Sequence, residues 1–65
     1  MILKIDGLGT VSGDETMFHN LMNLYIDASE TYDSLGYYNM KRRALNNAKE
    51  IEIILKQRGY YHDKE

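Results

Sequence analysis

The residues of this chain that could do chemistry are few and widely spaced. His19 follows Glu15 by four positions, which would put an imidazole and a carboxylate on one helix face within reach of a common metal ion. Two ligands do not complete such a site and spacing places no third beside them, so the pair reads as solvated groups at a helix start and no metal is expected. Asp14 and Glu15 form a carboxylate pair, but a helix N-terminus attracts acidic residues through its dipole, without any acid–base role. Ser12, Ser29 and Ser34 lack the neighbouring base that activates a hydroxyl. Gly7, Gly9 and Gly13 resemble a phosphate loop only briefly. The dinucleotide fingerprint needs its third glycine three residues after its second, and here the gap is four, with no Gly-Lys-Ser/Thr following. Turn and cap glycines are the better reading. One small chain also has little material to enclose an active site, so neither enzymatic activity nor a cofactor is expected.

Lys41-Arg42-Arg43 is the sharpest functional feature. Near a helix start these side chains could meet phosphates while Tyr37 and Tyr38 stack on bases, which makes a small nucleic-acid-binding regulator the alternative function. Three adjacent helical residues fan over about 200°, however, and cannot all address one partner. The tyrosines point elsewhere. Tyr37, Tyr38, Tyr60 and Tyr61 lie in or beside turns, where a rigid ring with a polar tip makes a good protein-interface anchor. Ile53 points away from the apolar face of its helix. The expected protein interface is therefore Tyr37, Tyr38, Arg42, Arg43, Ile53, Tyr60 and Tyr61. His62 falls in the same polar tail as the last two and is expected to be exposed.

These residues sit on two segments of opposite charge. From Gly13 to Leu35 there are Asp14, Glu15, Asp27, Glu30 and Asp33 with no Lys or Arg, a formal charge of −5. From Asn39 to Arg58 there are six bases against Glu50 and Glu52, a formal charge of +4. Gly36 divides them. Such segregation suits two helices that pair with each other, with Asp27 to Asp33 running beside the basic start of the second.

The elements that position the charges follow from pattern. Ile2, Leu3 and Ile5 precede Asp6-Gly7, and Leu8, Thr10 and Val11 follow, which predicts a short β-ribbon over 1–12 with a two-residue type I′ turn, or else an extended arm. That turn would set Ile5 opposite Leu8, Leu3 opposite Thr10 and Ile2 opposite Val11. Ser12 and Glu15 match a capping box, so an acidic helix is expected over 13–35. Its apolar residues Phe18, Leu21, Tyr25, Ala28, Tyr32 and Leu35 form a seam at spacings of three and four, which Met17, Met22, Leu24 and Ile26 widen. Gly36 suits the left-handed end. Asn39 is the expected cap of a basic helix over 39–58, with Met40, Ala44, Ala48, Ile51 and Leu55 on one face, Ile54 beside them and a tail over 59–65. Tyr25, Tyr32, Gly36, Tyr38, Leu45 and Ala48 fall at spacings used by the helix pair of tetratricopeptide repeats. About half the chain resembles one such hairpin, with Ala28-Ser29 at the usual Leu-Gly, Lys41 at a usual alanine and no closing proline. The resemblance implies a generic packed helical hairpin.

Length and composition bound the rest. Sixty-five residues make one domain, and such a chain buries only roughly 60% of the surface it exposes unfolded. With no cysteine, neither a disulfide nor a thiolate zinc site can support it. A second copy can, and pairing two hairpins into a four-helix homodimer would cover the apolar surplus of the first helix. No apolar run approaches the roughly 20 residues of a membrane span and Met1 to Ile5 lacks a signal-peptide core, so no membrane association and a cytoplasmic location are expected. The expected protein is thus a mainly α, antiparallel helical hairpin with an N-terminal ribbon or arm. Its expected function is non-enzymatic: binding a larger protein to modulate or inhibit it, as bacterial and phage-encoded inhibitors and regulators do.

Overall fold

The computed structural model describes residues 1–59 of the 65. It is a β-ribbon of β1 (Ile2–Ile5) and β2 (Gly9–Ser12) followed by two long helices, α1 (Glu15–Leu35) and α2 (Tyr38–Gln57). The helices form an antiparallel hairpin and the ribbon lies on one face of it, giving a flat body of 35 × 32 × 15 Å. No helix among the described residues is long and apolar enough to cross a membrane.

The ribbon forms, but with a register one residue from the expected one. Ile2 pairs with Ser12, Leu3 with Val11, Lys4 with Thr10 and Ile5 with Gly9. A type I′ turn needs positive φ at both central residues, whereas here only Gly7 has it (φ 90°) and Asp6 does not. The Leu8 amide closes the turn on the Ile5 carbonyl at 3.0 Å, and Gly9 takes a second positive φ of 77° where the strand resumes. Leu8 thereby becomes a loop residue. The slip has a packing reason: it puts Val11 across from Leu3, on the face where Leu3 and Ile5 are buried.

Helix α1 is capped by Asp14, not by the expected box of Ser12 and Glu15. The Asp14 carboxylate accepts the Met17 amide at 2.8 Å, while Ser12 remains in β2 and the Gly13 amide extends the ribbon to the Met1 carbonyl at 3.0 Å. At the other end Gly36 (φ 81°) donates to the Asp33 carbonyl and Tyr37 to the Tyr32 carbonyl, the paired bonds of a Schellman motif. Only Tyr37 then separates the motif from α2. Asn39 is therefore already inside the helix, and the cap position belongs to Tyr37, which makes no side-chain capping bond.

The core lies at the open end of the hairpin. Leu3 and Ile5 from β1 join Phe18 and Met22 from α1 and Ala48, Ile51 and Leu55 from α2, with Phe18 and Leu55 fully enclosed. Towards the loop the helices approach through small residues, Ala44 and Ala48 on α2 and the buried Ser29 on α1, whose hydroxyl donates to the Ile26 carbonyl at 2.6 Å. Leu35 and Met40, expected in the two seams, are exposed at the loop end of the hairpin, which the core does not reach.

Candidate functional site

Arg43 and Asn47 lie one turn apart on α2 and hold the turn of the ribbon. Asn47 is buried and its amide donates to the Asp6 backbone carbonyl at 3.0 Å, while the Arg43 guanidinium meets the Asp6 carboxylate at 3.3 Å. The turn is thus fixed above the helix pair. Beneath and beside it opens a cleft of about 400 Å³, floored by Ala28 and Ala44, walled by Tyr25, Tyr32, Leu8 and Met40, and closed at one side by the Asp6 and Arg43 pair. Two alanines facing each other leave the room, and the tyrosines supply apolar faces with polar tips. Leu8 and Met40 stand on its rim, 54% and 47% exposed.

The basic triplet goes in three directions. Lys41 crosses to Asp33 of α1 at 3.0 Å, Arg43 reaches Asp6, and Arg42 is exposed with no ion pair among the described residues. The predicted pairing of the acidic and basic segments therefore rests on Lys41 and Asp33, and Arg43, expected at a protein interface, meets Asp6 of the ribbon turn while its side chain stays 63% exposed. Tyr38 (63% exposed) and Arg42 line one groove with Leu45, so these two predicted contact residues do come together. Tyr37 is exposed with its ring 6.5 Å from that of Tyr32, at the loop end of the cleft. Ile53 is exposed as expected, but stands roughly 12 Å further along α2 than Leu45. Tyr60 and Tyr61 lie outside the described residues.

Sequence reasoning recognised the Asp6-Gly7 turn but not the cleft it helps to form. Spacing puts Leu8 in a strand and Met40 and Ala28 in helix seams, and it singles out nothing at Asn47. One signal was present: Asn47 falls three residues after Ala44 and four before Ile51, so the seam itself runs through it. Among the described residues there is no group of three or more His, Cys, Asp or Glu that could hold a metal, and the Ser29 hydroxyl is buried and committed to a carbonyl. No protein-family model, curated protein sequence or solved structure matches this chain.

Proposed function

We propose that this chain is a non-enzymatic protein-binding module, a homodimer that modulates or inhibits a larger protein in the manner of small bacterial or phage-encoded inhibitors. The observation that carries the reading is the cleft under the ribbon turn. Its lining of Tyr25, Tyr32, Leu8 and Met40 around an alanine floor suits an apolar side chain inserted from a partner, with the tyrosines adding polar groups to the apolar wall. Tyr37 and Tyr38 extend the contact surface beyond the loop end. The nucleic-acid alternative has less to draw on, because two of the three adjacent bases already face Asp33 and Asp6.

Affinity capture from host extract tests it, comparing the native chain with Leu8→Glu/Met40→Glu, two exposed rim positions whose change leaves the core intact. A protein retained by the native chain and lost from the variant is the expected result. Equal recovery by both, or recovery of none, rejects the cleft as a protein site. Salt-sensitive binding of labelled DNA or RNA that disappears in Arg42→Glu would replace the reading with the alternative.

A further inference from the structure

The helix face opposite the ribbon is the second surface of this thin molecule. Leu45 and Lys49 each lie about 160° around α2 from Asn47, the residue that holds the ribbon turn. Between the helices on that side runs a groove of about 280 Å³ with Met22 and Ala48 at its base and Ile26 and Leu45 at its lips, 38% and 42% exposed. Lys49 and Glu52 of α2 line it, Glu52 paired with Lys56 at 3.4 Å, and along the two helices beside it stand Asp27 and Glu30 of α1 and Arg42 of α2, which like Lys49 form no ion pair among the described residues. An apolar strip between a net acidic helix and a net basic one is complementary to its own copy.

We infer that a second copy of this chain covers this face, related by a two-fold axis that runs parallel to the helices. The inference rests on the homodimer proposed above and is independent of that dimer's target. Two coplanar helices can meet a copy in two symmetric ways. An axis across the helices lays α1 on α1 and α2 on α2, acid against acid and base against base; an axis along them lays α1 of each copy on α2 of the other. Between Glu15 and Leu35 α1 carries Glu15, Asp27, Glu30 and Asp33 and no base, while α2 has five bases against two acids, so the charges select the second arrangement.

The ion pair of Lys41 with Asp33 marks how the helices are staggered, and the symmetry carries that stagger into the dimer. Counting 1.5 Å per residue from it, the partner's Glu30 comes within about 3 Å along the axis of Arg42, and the partner's Asp27 within about 3 Å of Lys49. Ile26 and Leu45 of both copies meet between these rows. The segregated charge of the chain thus serves mainly between molecules, and Lys41 with Asp33 is its intramolecular share.

Sedimentation of the full chain across the micromolar range, with circular dichroism to confirm folding, tests the arrangement. The native chain is expected to dimerise, and Ile26→Asp/Leu45→Asp to remain helical and monomeric. Asp27→Lys/Glu30→Lys and Arg42→Glu/Lys49→Glu are each expected to weaken the dimer about tenfold or more, and mixing these two variants to restore it as a heterodimer. A native chain that stays monomeric overturns both the face and the homodimer, leaving target binding to its own test. A dimer that survives Ile26→Asp/Leu45→Asp overturns the face alone. One unchanged by Asp27→Lys/Glu30→Lys overturns the axis, since like charges would then already face each other.

Discussion

Asn47 and Arg43 both bind Asp6, yet they differ in what water already supplies. The amide of Asn47 is buried against the turn, whereas the Arg43 and Asp6 side chains are 63% and 66% exposed and can exchange each other for solvent at little cost. Asn47→Ala is expected to destabilise the fold by about 1–2 kcal/mol, and Arg43→Ala by under about 1 kcal/mol with strong salt dependence, measured by urea unfolding. Equal losses would mean that the ion pair, not the amide, fixes the turn. This contrast also shows where single residues escaped sequence reasoning. A side chain's type gives its chemistry, but Asn47 is polar and its partner is a carbonyl 41 positions away, which no local pattern encodes. Arg43 stands out in the sequence by its charge, but its partner Asp6 is 37 positions away and equally beyond local pattern.

The elements were far more readable, because helices declare themselves by apolar spacing. Both helices fall within a residue or two of expectation, as does the antiparallel hairpin turning at Gly36. What pattern could not decide was competition between neighbours of similar propensity. Ser12 and Asp14 both suit an N-cap, and the ribbon decides between them by keeping Ser12 opposite Ile2. Asp14→Ala is therefore expected to lower stability by about 1 kcal/mol and Ser12→Ala by less than about 0.5 kcal/mol, read from thermal unfolding. A reversed order would place the cap where the sequence suggested. The turn shows a similar competition: a two-residue loop fits Asp6-Gly7 locally, but burying Leu3 and Ile5 with Val11 beside them requires one residue more. Gly7 still carries the positive φ, with Arg43 Nη2 3.9 Å from where a Cβ would stand, so Gly7→Ala is expected to cost about 1 kcal/mol through backbone strain rather than collision.

For the whole molecule the governing fact is thinness. A body 15 Å across has room for one row of enclosed side chains, and Phe18, Ile51 and Leu55 occupy it. A fold of this length has only roughly 3–10 kcal/mol in total, and Leu55→Ala removes about 2–5 kcal/mol of it, so that variant is expected to be largely unfolded at 37 °C by circular dichroism. Full cooperative unfolding near the native temperature would show that the core is more redundant than its single row implies. Composition foresaw the shortage of core, though not which face would be left over, since that depends on where the ribbon lands. Its landing place also sets an order of events during synthesis. Leu3 and Ile5 emerge from the ribosome before either helix, yet they pack against Ile51 and Leu55, made roughly fifty residues later. Until α2 is complete the ribbon has only Phe18 and Met22 of α1 to rest on, and stalled chains are expected to stay protease-sensitive over residues 1–12 until Leu55 has cleared the tunnel. A ribbon made before both helices is thus fully secured only after them.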